Sequence, residues 1–218
     1  MPPRRRARPA PKPRVRAPDQ TRERLLTAAF REIYRHGFQA ASLEAILAGA
    51  GVTKGALYHH FPDKAALGLA VTTEVVRGLT LNRWQEQLAA PGDPLAHLVA
   101  VLREHAGQIE PHVVELGCPL NNLAQEMSPT DERFRRAIDA IYTDWRAATA
   151  AALARGQEVG TVRGDVDPMA VAAFVVASVE GSFGLAKAMQ DGTVLRENFL
   201  TLARFLEGLR PPAPPATR

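Results

Sequence analysis

Residues 21–67 read TRERLLTAAFREIYRHGFQAASLEAILAGAGVTKGALYHHFPDKAAL, and glycines divide this stretch into short helices at helix-turn-helix spacing. Leu25, Leu26, Ala29, Phe30 and Ile33 recur at the helical period, and Gly37 supplies a left-handed end. Ser42 reads as the N-cap of a second helix, with Glu44 in its first turn, where the dipole favours an anion, and Leu43, Ile46 and Leu47 on its buried side. Gly51 permits a sharp turn, Val52 packs inward, and Thr53 caps a third helix running from Lys54 to about Phe61, which Pro62 closes. Asp63 caps a fourth helix. Lys64 lies in its first turn, beside backbone N–H groups where a phosphate can dock.

The third helix has the composition of one that enters a major groove, where N-terminal residues reach base edges. Gly55 and Ala56 are small enough for close approach, Lys54, Tyr58, His59 and His60 supply donors, and Leu57 and Phe61 face the domain core. The competing reading is an ordinary small helical domain with a capped surface helix. The pattern Thr-x-Gly-x-x-Tyr-x-His-Phe, formed by Thr53, Gly55, Tyr58, His60 and Phe61 and followed by Lys64, resembles the DNA-binding domain of the tetracycline-repressor (TetR) family. The resemblance covers residues 21–67 without a gap. It implies that Ser42, Thr53, Tyr58 and Lys64 touch phosphates and that Lys54, Gly55 and His59 lie against base edges.

Charge is segregated along the chain. The net charge is +4, yet residues 1–18 hold six arginines, Lys12 and no acid, so they carry +7 and the remainder −3. Six prolines in those 18 residues exclude a regular helix, and the segment reads as a disordered basic arm that tracks phosphates or enters a minor groove. Arg4, Arg5 and Arg6 are its DNA-contact candidates; a solvated tail of no consequence is the alternative. Residues 19–65 form the expected helix-turn-helix domain, 66–210 a helical ligand-binding and dimerisation domain, and 211–218 a proline-rich tail.

With 46% hydrophobic residues the chain is expected to be globular. No unbroken apolar run approaches the roughly 20 residues of a membrane span, and no apolar stretch follows the basic start, so a cytoplasmic protein without a membrane partner is expected. The single cysteine, Cys118, fits a reducing compartment. No phosphate loop, metal-ligand spacing or nucleophile elbow is present, so neither catalytic residues, a metal nor a cofactor is expected.

Beyond Leu67 the sequence is alanine-rich and helical in period. Breakers delimit helices at about 63–90, 94–112, 119–127, 130–157, 167–190 and 193–209, giving with the first three an all-α fold of about nine helices. The helix at 167–190 is apolar nearly all round and must be buried on several sides. Its small residues Ala173, Ala177, Gly181 and Gly184, with Phe199, Leu202, Phe205 and Leu206 of the last helix, suit a two-fold interface; burial within one protomer is the alternative. The resemblance implies that the last two helices build a four-helix dimer interface.

The middle helices mix aromatic and polar residues as a small-molecule pocket does. Candidates are Trp84, His105, His112, Cys118, Asn121, Asn122, Gln125, Trp145, Glu180 and Phe183. His105 and His112, seven apart, can share a helix face. A buried Glu180 must be paired, protonated, at an interface or facing a cavity. Pro119 starts a helix directly after Cys118, a place where the dipole lowers a thiol pKa and makes a covalent sensor conceivable; free cysteines are more often buried and inert, and that is the reading preferred. The stretch GCPLNNLAQEMS at 117–128 resembles a TetR subgroup with a Gly-Cys step, some members of which respond to electrophilic or unsaturated small molecules. The reading as a whole is a homodimeric regulator, most simply a repressor, that binds a near-palindromic double-stranded DNA operator and is released by a small-molecule effector. An unregulated architectural DNA-binding protein, a helical enzyme and a ligand carrier are the alternatives.

Overall fold

Three side-chain caps set the N-terminal helices. Ser42 accepts from Ala45 N at 3.3 Å, Thr53 from Ala56 N at 3.3 Å and Asp63 from Ala66 N at 2.7 Å, each satisfying an N–H that a helix start leaves unpaired. The computed structural model describes residues 17–212, and among them all regular structure is helical. The elements are α1 (Ala17–His36), α2 (Leu43–Ala50), α3 (Lys54–His60), α4 (Lys64–Ala70), a π-helical turn (Val71–Val76), α5 (Arg77–Leu88), α6 (Pro94–Gly107), α7 (Pro111–Leu116), α8 (Pro119–Met127), α9 (Glu132–Glu158), α10 (Pro168–Met189) and α11 (Gly192–Glu207).

Leu25, Leu26, Ala29 and Ile33 of α1 are buried against α2, α3 and α4, with Ile46, Leu57, Phe61 and Leu67 completing the small core. Gly51 has φ +61°, the left-handed turn expected between α2 and α3. From α4 the chain continues without a break through the π turn into α5, a single rod joining the helix-turn-helix unit to the larger bundle. In that bundle α9 lies centrally, burying Phe134, Ile138, Ile141, Trp145, Ala152 and Leu153 along one stripe, and packs against α5, α6, α8 and α10.

The structure corrects several boundaries. Helix α1 already begins at Ala17, so two residues assigned to the arm are helical, Pro18 falling in the first turn where its missing N–H costs nothing. The rest of the expected arm, with Arg4, Arg5 and Arg6, lies outside the described residues, as does most of the 211–218 tail. The expected helix at 94–112 stops at Gly107, and Pro111 opens a separate α7. The expected all-α fold of about nine helices is met by eleven α-helices and a π turn among the described residues, the expected helices at 63–90 and 94–112 each being divided in two. Helix α10 is long and apolar enough to cross a membrane by length and composition, with mean hydropathy 1.7, although its sequence is interrupted by Glu180. It is buried on one face of the protomer, through Ala172, Val175, Val176 and Val179, rather than on several.

The two units meet at Gly68. A β-carbon there would overlap Phe38 of the α1–α2 turn and lie 2.9 Å from Phe134 of α9, two rings whose centroids are 4.7 Å apart. Replacing Gly68 by Ala is expected to cost about 1–3 kcal/mol of overpacking strain, read as a lower midpoint in thermal unfolding; an unchanged midpoint would mean that the rings move aside freely.

Candidate DNA-binding surface and effector cavity

On α3 the chemistry faces outward as the sequence suggests. Thr53, Lys54, Gly55, Tyr58 and His59 are exposed, Ala56 is half-buried, and Leu57 and Phe61 are buried. The Lys54 ammonium sits 5.9 Å from the Tyr58 ring, which holds both side chains on one side of the helix. Ser42, half-buried, stands at the start of α2. Lys64 is more constrained than expected. Its ammonium donates to Gln39 O at 2.9 Å and lies 5.0 Å from the Phe38 ring, so it first braces the α1–α2 turn.

That turn is gripped from the larger domain. Glu126, at the end of α8, accepts from Phe38 N at 2.8 Å and from Gln39 N at 2.7 Å through its two carboxylate oxygens. At the other end of α8, Tyr34 of α1 donates to Gly117 O at 2.5 Å. Burial, and secondarily Cys118, push the Tyr34 phenol up to about 12, so it remains a donor. Helix α8 is thus tied at both ends to the C-terminal end of α1 and the turn that follows it. Glu126 carried no signal in the sequence, because both its partners are backbone groups far away in the chain.

Between α1 and the bundle lies a cavity of about 750 Å³, open to solvent. Of the ten expected ligand-site residues it brings together Trp84, His105, His112, Cys118, Trp145 and Phe183. His105 and His112 reach it from separate helices, α6 and α7, not from one face. Trp84 stacks on His105 at 6.1 Å and tilts against Trp145 at 5.4 Å; His105 meets Phe199 edge-on at 6.2 Å, and Phe199 meets Phe183 at 5.6 Å. The His105 Nδ1 is 2.7 Å from Val101 O, which only accepts, so Nδ1 carries a proton. Sequence reasoning missed Phe30, Tyr34 and Phe199 as wall residues. Phe30 was read into the buried stripe of α1, and its i, i+4 spacing with Tyr34, the two rings stacked at 5.5 Å, was the signal that could have placed the pair at the wall.

The remaining four candidates are placed elsewhere. Asn121 donates to Glu180 O and Asn122 to Leu116 O, bonds that fasten α8 to its neighbours, Gln125 donates to Asn121 Oδ1 within α8, and all three border a separate surface recess. Glu180 is buried behind the cavity wall: Cys118 Sγ donates to its Oε1 at 3.4 Å, and its Oε2 has no partner. Burial pushes this carboxyl up to about 7, an effect the thiol donor opposes. Of the two readings of Cys118, the lowered thiol pKa is the one the structure goes against. Burial and the neighbouring Glu180 push the thiol well above its ordinary value, outweighing the helix terminus.

The expected dimer residues also divide. Phe199, Leu202 and Leu206 are buried inside the protomer, where α11 packs on α6 and α10. Helical periodicity cannot tell that burial from burial between protomers. Ala177, Gly181 and Gly184 are exposed, Ala173 is half-buried, and Phe205 is 42% exposed, with its ring 5.0 Å from the half-exposed Phe174. Leu185 and Met189 extend the same apolar exposure along α10.

Residues 25–71 match the family described as "Bacterial regulatory proteins, tetR family", and residues 94–201 match "Tetracyclin repressor-like, C-terminal domain". The chain is 31% identical to an uncharacterized HTH-type transcriptional regulator in the lacX 3'region of Lactococcus lactis subsp. lactis, over 86% of this chain and 93% of that one. It is 28% identical to the HTH-type transcriptional repressor DhaR of Mycobacterium sp., over 83% and 89%. A TetR transcriptional regulator from Chloroflexus aurantiacus superposes with a TM-score of 0.78 at 28% identity, over 88% and 96%. The fold, the helix-turn-helix surface and these matches define a DNA-binding transcriptional regulator. The chain belongs to the TetR family, whose members and the relatives named here are regulators rather than enzymes.

Glu180 gives stability a particular pH dependence. Its carboxyl is raised in the folded state from 4.5 to about 7, so across that interval the folded protein retains a proton that the unfolded chain has lost, and stability falls as pH rises. Glu180→Gln removes that decline. The variant is expected to gain about 3 kcal/mol on the wild type between pH 4.5 and pH 7, taking ~1.4 kcal/mol per pKa unit. Parallel denaturation curves at pH 5 and pH 8 would contradict the assignment.

Proposed function

We propose that the chain is a homodimeric repressor whose operator affinity is set by a small molecule in the α1–bundle cavity. The observation that carries this reading is the shared wall: Phe30 and Tyr34 belong to the helix-turn-helix unit, while Trp84, Trp145 and Phe199 belong to the bundle. A ligand that fills the cavity touches both units. It acts only so far as it binds one arrangement better than the other. The path offered is short. The Tyr34–Gly117 bond and Cys118 lie at one end of α8, and Glu126 grips the α1–α2 turn from the other, with the α4–π–α5 rod as the second connection.

A dimer supplies the remaining geometry. The exposed face formed by Phe174, Ala177, Gly181, Leu185 and Phe205 is apolar and contiguous, of the kind that a second copy covers. Two α3 helices about 34–36 Å apart then read successive major grooves of a near-palindrome. The basic segment before α1 adds salt-dependent phosphate contacts. In this reading Tyr58, Ser42 and Thr53 position the helix on phosphates, and Lys54 and His59 read bases across the small Gly55–Ala56 surface. Lys64 adds charge near the backbone while bracing the turn.

Fluorescence anisotropy on the operator and on unrelated duplexes separates these roles. His59→Ala is expected to lose about 1–3 kcal/mol on the operator alone, relaxing base preference. Tyr58→Phe is expected to weaken all sequences alike. The bound species should carry the mass of two chains. Equal losses on operator and unrelated DNA for both variants, or binding by single chains, would refute the proposal.

A further inference from the structure

The polarity of the cavity specifies a class of effector, an inference that rests on the ligand-regulated reading above. The wall carries flat rings at fixed angles to one another: Trp84, His105, Trp145, Phe183 and Phe199 run as a chain with centroids 5.4–6.2 Å apart. Such surfaces favour a planar guest that stacks on one ring and meets the next edge-on. One polar atom among them is unanswered. Trp145 is 2% exposed and borders the cavity, yet its Nε1–H has no hydrogen-bond partner. An indole N–H only donates, and leaving a buried donor unpaired is costly, so a guest that reaches this indole gains by bringing an acceptor. His105 gives such an oxygen no second donor, since its Nδ1–H is committed to Val101 O.

Charge narrows the class further. Arg31, Arg35 and His36 belong to the lining but are exposed, and Glu32 is turned to Ser42 N and His36. Behind Cys118 stands the carboxyl of Glu180, which repels an anion whenever it is ionised. A carboxylate entering the aromatic end would lose its water without gaining a cation. A cation would find ring faces, but also the positive edge of the Trp145 N–H.

We propose that the cavity takes an uncharged planar aromatic compound bearing a carbonyl or similar oxygen, and that this oxygen accepts from Trp145 Nε1–H. Equilibrium dialysis of the full chain against four naphthalene probes tests it: acetylnaphthalene, ethylnaphthalene, naphthoate and naphthylmethyl-trimethylammonium. Acetylnaphthalene should bind about 5- to 10-fold tighter than ethylnaphthalene, the effect of one buried hydrogen bond, and at least about tenfold tighter than naphthoate, which must be desolvated. Trp145→Phe keeps a ring and removes the donor. It should bring the first ratio to about one, with helix content unchanged by circular dichroism. Preferred binding of the carboxylate or the ammonium, no binding by any probe, or an unchanged first ratio in Trp145→Phe overturns the proposal. If that variant does not fold, the order of the four probes on the wild type decides alone. Operator release is measured separately: a probe that binds in the expected order yet leaves the DNA complex intact contradicts effector control and not the ligand class, whereas release by the anion contradicts the ligand class and not the control.

Discussion

The carboxylate of Glu126 holds two consecutive backbone N–H groups, those of Phe38 and Gln39, and the placement of the DNA-reading unit depends on that grip. A carboxylate bonded to two amides is a strong, directional contact. It fixes the turn between α1 and α2, from which α3 follows. Lys64 braces the same turn by donating to Gln39 O, and Gly68 lets Phe38 pack against Phe134 of the bundle. The α1–α2 turn is therefore the hinge point at which the bundle and the helix-turn-helix unit constrain each other.

The cavity lies along the same contact. Its walls come from α1 on one side and from the aromatic chain of the bundle on the other, so its contents and the hinge are neighbours. Cys118 sits at this boundary in an environment that suppresses thiolate formation, since Glu180 accepts its S–H and burial disfavours a charge on either group. Non-covalent occupation of the cavity is thus better supported than attack by a free thiolate.

Much of the fold was legible because its signals are local. Ser42, Thr53 and Asp63 cap the helices they were read to cap, Gly51 adopts the left-handed turn, and Leu57 and Phe61 face inward while Lys54, Tyr58 and His59 do not. What was left open or misread is non-local. Cys118 is held neutral first by its burial and then by Glu180, 62 positions away, Asn121 and Asn122 are spent on fastening α8, and Gln125 bonds back to Asn121. Phe199, Leu202 and Leu206 have the same spacing whether they face a partner or their own protomer, and only the packing of α11 on α6 separates the cases. Pro111 was a local signal that was passed over; it opens α7 and brings His112 to the cavity.

The central claim is that α8 sets the posture of the DNA-binding unit, and the spacing of the two units in a dimer reports it most directly. Distances between probes placed at the exposed Glu44 of each protomer should form one narrow distribution in the operator complex of the wild type. Glu126→Ala should keep the dimer mass and helix content, broaden or shift that distribution, and weaken operator binding by about tenfold, within the usual range of coupling between sites. An unchanged distribution with unchanged operator affinity would contradict the account.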